Sequence, residues 1–516
     1  MEKELRSKHI FIFPFKIENI KENAVTYYSF KKKTDLDLVN SIIKENGEWM
    51  LETYSDLFSS YDEKKIDLSY NTKLYFYESV RNAIFTYFNK DDPESLSDEI
   101  ILNYNYKINE DPKYHIKTFD KEYILDIKKI GLKIFETGVG VLSFFLDNYN
   151  EEYDKDDILK INALGRNVYL PFIEAKEAGE IPEYIEITGL NGKNTKEDFE
   201  FGEKYSKDTI KLSNIITDIL GFGSFGSKIE ILPLIDHRMF VMSVNNELGY
   251  FNKYENVSDL DEVINNDEYL YKFIFIDSGK LKCQNKKMLN KSLKESTYKR
   301  WIDKKSVFGI SRYSFVLLKE DNQMDALNNH METLYFEMVA LVLAQRVSLL
   351  NFSDEISRIS RLDEKDSKRI LNLYQNYLQF SNRMFFRQVS AQEQGIELYN
   401  TLFSKSDILL LIEDLNKEME SLHEYARLSN SDQSQKSLEM IENLNKWLLV
   451  PTFVTGLLGI NIFQSKFHSI DTINPFSIKF FTSFGFWFSM SLLTFLMFAV
   501  TKIILIIFEK KLFEKK

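Results

Sequence analysis

The apolar positions of this 516-residue chain change rhythm twice. Up to about residue 320 they come in short bursts parted by polar turns. From there to about 446 they recur every three or four residues, and beyond 446 they merge into runs almost free of charge. The bursts predict strands at HIFIFPF (9–15), EILPLIDHRMFVMSV (230–244), YKFIFID (271–277) and SRYSFVLL (311–318). LKIFETGVGVLSFFLDN (132–148) predicts two strands joined by a hairpin at Thr137-Gly138-Val139-Gly140. DKDDILKINALGRNVY (154–169) predicts a helix capped by Asp154, and KKMLNKSLKEST (286–297) predicts another helix. Residues 1–320 are therefore expected to form an α/β or α+β domain, with a boundary near 319–323.

The helical rhythm opens with Met324, Leu327, Met331, Leu334, Met338 and Leu341 and continues through LAQRVSLLNFSDEI. This methionine stripe is expected to pack in a core. A second helical segment is expected over about 363–400. Ile408, Ile412, Leu415, Met419, Leu422 and Ala426 then step by fours and threes, the stripe of a helix packed in a coiled bundle. No proline intervenes between Ile408 and Pro451, so one helix could continue to Asn461, roughly 80 Å at 1.5 Å per residue. SNSDQSQKS (429–437) interrupts the stripe with small polar residues. They would suit either the wall of a central water column or a plain solvated stretch.

Two apolar spans follow, Trp447–Phe463 and about Phe480 to Phe508. A bilayer core takes about 20 helical residues, so the second span is ample and the first needs extension from its soluble side. A buried hairpin of a soluble protein is the alternative, but the second run is long and aromatic for that. Lys502 lies where it can snorkel to headgroups, and Lys510, Lys511, Lys515 and Lys516 place the C-terminus on the cytosolic side. MEKELRSKHIFIFPFK has no run of signal-peptide length, so the N-terminal region is expected in the cytosol too. The expected order is a cytosolic sensor domain (1–320), a helical bundle and stalk (321–446), a first transmembrane helix (447–463), an external loop (464–479), a second helix (480–508) and a basic tail (509–516). The expected location is the inner, or plasma, membrane with both termini cytoplasmic.

Composition narrows the partners. A net charge of -12 without a basic patch argues against direct nucleic-acid binding. Cys283 is the single cysteine, which rules out an intrachain disulfide and suits a reducing compartment. Gly221-Phe222-Gly223-Ser224-Phe225-Gly226 has the spacing of a dinucleotide loop, but a helix is expected before it and a strand after it, the reverse of that motif's context. His9, His115, His237, His330, His423 and His468 have no zinc spacing, and no nucleophile–base pair is legible, so no enzyme is expected. His237-Arg238 could meet an anion or could be satisfied in a core.

The first span itself, PTFVTGLLGINIF, carries two threonines, two glycines, a proline and an asparagine. Gly456 and Gly459 could be packing glycines and Asn461 a helix cap. The pattern Pro-Thr-Phe-x-x-Gly-x-x-Gly-x-Asn, ending the first of two C-terminal spans, also resembles the CorA magnesium transporter superfamily. The likeness covers roughly residues 320–516. The family carries Gly-Met-Asn where this chain has Gly459-Ile460-Asn461. The resemblance implies a homopentamer whose first helices line a pore through the lipid membrane. It implies a polar ring of Asn461 at the outer mouth, a turn at Gly459, an oxygen ring at Thr452, a hydrophobic gate near Leu449 and a basic inner ring from Lys510, Lys511, Lys515 and Lys516. Mg²⁺ enters as a transported or regulatory ion, and no cofactor is implied. The loop 464–479 departs from the family, offering Asp471 against Lys466 and Lys479 where many members carry an acidic cluster.

A narrower resemblance lies in HIFIFPF, TGVGVLSFFLDN, YKRWIDKKSVFGISRYSF and LAQRVSLLNFSDEI, which look similar to stretches of large CorA-like proteins associated with type III CRISPR systems. It implies an antiviral effector whose cytosolic domain binds a nucleotide second messenger, an S-adenosylmethionine–AMP conjugate, and gates the pore. A homeostatic divalent-cation transporter closed by intracellular Mg²⁺ is the alternative, and a membrane-anchored enzyme a third reading. The sequence assigns no residue to ligand or metal binding.

Overall fold

The structure, a computed structural model, describes residues 4–22, 26–28, 34–54, 71–72, 74–87, 99–169, 181–199, 212–221, 228–236, 238–255, 257–279, 283–320, 325–359 and 367–467, with Ser491 and Phe495. The chain divides into two compact units, Met1–Ser429 and Asn430–Lys516.

The strands of the first unit are β1 (Ser7–Glu22), β2 (Thr26–Tyr28), β3 (Trp49–Leu51), β4 (Ile101–Tyr106), β5 (Lys113–Lys117), β6 (Glu122–Phe135) and β7 (Val139–Asn148). They continue with β8 (Tyr184–Leu190), β9 (Lys193–Asp198), β10 (Ile229–Pro233), β11 (Phe240–Asn246), β12 (Thr297–Tyr298), β13 (Ser306–Ser311) and β14 (Ser314–Lys319). They make one sheet with a main path β12-β13-β14-β11-β1-β7-β6-β5-β8-β9. Its described pairings are antiparallel except β11 with β14. The helices are α1 (Thr34–Asn46), α2 (Glu78–Ile84), α3 (Lys155–Leu164), α4 (Asn214–Gly221), α5 (Leu260–Asn265) and α6 (Glu268–Phe275). Then come α7 (Lys286–Ser296), α8 (Asp325–Glu332), α9 (Leu334–Arg358), α10 (Ser367–Arg383), α11 (Glu393–Lys405) and α12 (Ile408–Phe467).

Long β1 is the spine. It pairs with β7 along ten residues, and on its other edge first with β11 and then with β10. Its alternate side chains enter two cores: Phe11, Phe13, Phe15 and Ile17 on one face, Ile10 and Ile12 on the other. A strand buried on both faces reads as a continuous apolar run, which is why HIFIFPF shows no polar alternation. Helices α1 and α3 to α7 cover the first face; α2, α8 to α11 and the first turns of α12 cover the second. The result is a mixed α/β architecture, a large, mainly antiparallel sheet between two helical layers.

The hairpin at 132–148 is present as β6–β7, and Asp154 caps α3 in a reciprocal box with Asp157. Four expectations change. YKFIFID is not a strand but the body of α6: Asp267 accepts from the N–H groups of Tyr269 and Leu270, and Leu270, Phe273 and Ile274 face the core. A short apolar run cannot by itself choose between helix and strand. Here an upstream cap and a bare partner decide, since a Cβ on Gly309 would stand 2.1 Å from Ile274 Cγ1. The single strand expected at 230–244 is two, β10 and β11, both on β1 and separated by residues 234–239. SRYSFVLL crosses the turn of the β13–β14 hairpin at Arg312-Tyr313. The segment at 363–400 is likewise split between α10 and α11.

Met331, Leu334, Met338 and Leu341 are buried in the second core, although Thr333 divides their stripe between α8 and α9. Met324 lies outside the described residues. Among the described residues one helical stretch, Ala326–Arg358, is long and apolar enough to cross a membrane, and most of it is buried inside the protein. It is the central core helix of the second face. In α12, Ile408, Ile412, Leu415, Met419 and Ala426 are buried as the stripe requires. Its backbone is helical without interruption to Phe467.

Candidate anion site

Four arginines from distant parts of the chain, Arg166 with Arg238 and Arg346 with Arg312, act on each other in pairs around Asp236 and Tyr313, the residues that precede the parallel strands β11 and β14. Arg166 follows α3 directly. Gly165, before it, is pressed against the sheet, and a Cβ there would lie 2.6 Å from Ile116 Cδ1 and 2.8 Å from the Phe11 ring. Asn167 forms an antiparallel bridge with Arg238, and the Met239 N–H donates to the Arg166 carbonyl at 2.7 Å. The Val241 N–H donates to the Tyr313 carbonyl at 3.0 Å, fixing the Arg312-Tyr313 turn beside the start of β11. Arg346 comes from the opposite face, from the middle of α9.

Burial makes this group unusual. Arg166 is 3% exposed and Arg346 8%, and the Nε and Nη1 atoms of both have no hydrogen-bond partner. Burial pushes Arg166 down to about 9, with the like charge of Arg238 acting in the same direction and Asp236 and Tyr313 opposing. Arg346 falls to about 10, again through burial first and then Arg312, with Tyr313 and Asp236 opposing. Asp236 and Tyr313 therefore face both. Asp236 accepts two hydrogen bonds from Arg238, at 3.3 Å to Nε and 3.2 Å to Nη2. The Arg238 guanidinium lies 5.8 Å from the Tyr313 ring centre. Arg312 is ion-paired with Asp407.

Among these groups four guanidinium charges meet two carboxylates, in a chain whose overall charge is -12. A buried charge without a partner is costly, and an orphaned donor adds its own desolvation penalty. A bound anion would remove both penalties. The planar fork of arginine grips two oxygens of a phosphate or carboxylate at once, and the Tyr313 ring offers a flat surface beside it.

Two other polar clusters leave no buried charge unpaired. His9 lies between Ser7 Oγ (2.9 Å from Nε2) and Asn162 Oδ1 (2.7 Å from Nδ1), the order of a hydrolytic triad. All three are buried within the sheet and α3, and burial holds the ring near pKa 4 and neutral, so the group is a satisfied core network. A shallow cleft over α5 and α6 is lined by Lys253, Glu262, Asp267 and Glu268. Asp267 already holds Lys253 and accepts from Tyr250 and Tyr254. Among the described residues no group of three or more His, Cys, Asp or Glu is placed to hold a metal ion.

Of the residues singled out from sequence, Arg238 belongs to the cluster, while His237 lies outside the described residues. The glycine motif follows α4 and precedes β10, as expected, with 222–227 outside the described residues. Leu449, Thr452, Gly459, Ile460 and Asn461 all lie on the α12 backbone, their side chains outside the described residues. Lys510, Lys511, Lys515 and Lys516 also lie outside them. Sequence reasoning missed Arg166, Asp236, Arg312 and Arg346. One signal was available for Arg346, a charge set inside the apolar run LVLAQRVSLL.

No protein-family description, no curated protein and no solved structure matches this chain.

Proposed function

We propose that this protein is a CorA-like membrane cation channel gated by an anionic nucleotide second messenger, with the arginine cluster as the receptor site. The observation that carries the reading is α12. Its first turns are built into the sheet unit through Ile408, Ile412, Leu415 and Met419, and the same uninterrupted helix contains Pro451, Thr452, Gly459 and Asn461. A ligand-binding domain and a candidate pore segment thus share one helix, the simplest mechanical link between them.

Self-assembly, as a homopentamer around the first span, has support in the exposed face of α12. Leu438, Ile441 and Leu444, three residues apart along the helix, are all exposed there, an apolar surface that a neighbouring copy of the helix would cover. The second span (480–508) and the basic tail would complete the membrane part, with both termini in the cytoplasm. The ligand would be of the S-adenosylmethionine–AMP kind, its release of ion flux serving type III CRISPR defence. Mg²⁺ would be a conducted or regulatory ion.

The test is reconstitution of the full chain in liposomes, with cation flux followed as S-adenosylmethionine–AMP, cyclic oligoadenylates or Mg²⁺ is added. Flux that rises with a nucleotide supports the reading. Flux indifferent to every nucleotide but closed by internal Mg²⁺ would make the protein a homeostatic transporter.

A further inference from the structure

We propose that Thr188, His115 and Glu122 form a second site, a nucleophile, a base and an orienting carboxylate that cleave carboxylic esters with a small apolar acyl group. This activity is separate from the channel reading and does not depend on the arginine cluster.

The fold exposes the group. Tyr114, Ile116, Ile185 and Ile187 turn into the first core, so the alternate residues of β5 and β8 stand on the other face of the sheet. No described residue of β5, β8 or β9 enters the second core, and the helical layer of that face leaves these strands open. His115 and Thr188 are half-buried there, and the Glu122 side chain is 36% exposed. The order that His9 shows deep in the protein therefore recurs within reach of solvent.

The distances define the roles. His115 Nδ1 lies 3.0 Å from Glu122 Oε1, and its Nε2 lies 2.9 Å from Thr188 Oγ1. A carboxylate only accepts, so in the neutral imidazole the proton sits on Nδ1 and Nε2 is left to accept from the threonine hydroxyl. Tyr184 donates to the same Glu122 oxygen at 3.4 Å and helps to hold it. The β8 register is irregular between Ile187 and Leu190, with Gly189 in left-handed geometry at φ 71°. A bulge of this kind re-aims the side chain beside it.

The neighbours supply the rest. Lys113 is the register partner of Thr188 across β5–β8, and its ammonium is 2.7 Å from Asp126 on the same open face. Ile124, 43% exposed, is the register partner of His115 across β5–β6 and offers an apolar seat for an acyl group. Thr188 Oγ1 would attack the ester carbonyl while its proton passes to His115 Nε2. The oxyanion so formed would face the Lys113 ammonium. Collapse would break the C–O bond, and the leaving alkoxide would take the proton from Nε2. Water, deprotonated by the same nitrogen, would then cleave the threonyl ester, releasing the carboxylic acid and restoring the hydroxyl.

The experiment uses the full chain in detergent with p-nitrophenyl acetate as probe. Stopped-flow absorbance reads a burst of p-nitrophenolate, and peptide mapping by mass spectrometry locates the acetyl group on the native chain. The acetyl group is expected on Thr188. Thr188→Ala should abolish the burst, and Thr188→Ser, which keeps a hydroxyl in place, should retain it. His115→Gln is expected to slow acylation about 100-fold or more. Glu122→Gln, which removes a positioning residue, should lower kcat about 100-fold with KM unmoved, and Glu122→Asp should recover part of that loss. A native chain that hydrolyses the probe no faster than detergent buffer overturns the proposal. So does an acetyl group found only on lysines, or a rate that Thr188→Ala leaves unchanged.

Discussion

Arg166 follows a helix on one face of the sheet and Arg346 lies in a helix on the other, yet both feel Asp236 and Tyr313, which precede the interior strands β11 and β14. Each is nearly closed to solvent, and each leaves two donors without a partner. A pair of groups that unfavourable is better explained by binding than by folding, because a purely structural arginine at either place would have had its donors satisfied.

A direct consequence concerns stability. Arg346→Met fills much the same volume and removes the buried charge. It is expected to raise the melting temperature, by the equivalent of about 1–2 kcal/mol, while it weakens pyrophosphate binding. Differential scanning fluorimetry with and without pyrophosphate reads both effects. A melting temperature that falls sharply would mark Arg346 as structural.

His9 imposes a pH dependence. Burial lowers its folded pKa to about 4 from an ordinary 6.5. Above pH 6.5 neither state binds the proton and its contribution is full. As pH falls from 6.5 towards 4 the unfolded chain takes up a proton that the folded chain refuses, so stability falls, by about 3 kcal/mol in all. Urea midpoints of the native chain and His9→Gln at pH 7 and pH 5 isolate this group. The variant should be less stable at pH 7 and should lose less on acidification. Parallel pH dependences would remove His9 as the cause.

Packing of the sheet can be tested at Gly140, which lies opposite Phe15 in the β1–β7 register. A Cβ there would stand 2.2 Å from the phenylalanine ring. Gly140→Ala is expected to destabilise by about 1–3 kcal/mol. Adding Phe15→Leu should return part of that loss, so the double-mutant cycle should show coupling between the two positions.

At the other end of α12, Asn461→Ala is expected to alter cation flux in proteoliposomes without changing the assembled mass in detergent. An asparagine in hydrocarbon is costly unless it faces water or a bundle interior. Unchanged flux would remove Asn461 from the conduction path, and a lower assembled mass would make it an assembly residue.

Local physics made much of this protein legible in its sequence. The β6–β7 hairpin, the Asp154 cap, the methionine core and the stripe from Ile408 to Ala426 each depend on neighbours a few residues apart, and each stands where its pattern places it. Failure came where distance in the chain decides. YKFIFID is a helix because of Asp267 on one side and a distant Gly309 across the core, and the apolar run at 230–244 breaks because Arg238 bridges to Asn167, far earlier in the chain. The arginine cluster is the extreme case. Arg166, Arg238, Arg312 and Arg346 show no common spacing, and nothing in their local sequences makes them a set. Only the closure of the sheet, with one helical layer on each face, brings Arg238 to Arg166, Arg312 to Arg346, and Asp236 and Tyr313 to both pairs, because electrostatics acts through space and not along the chain.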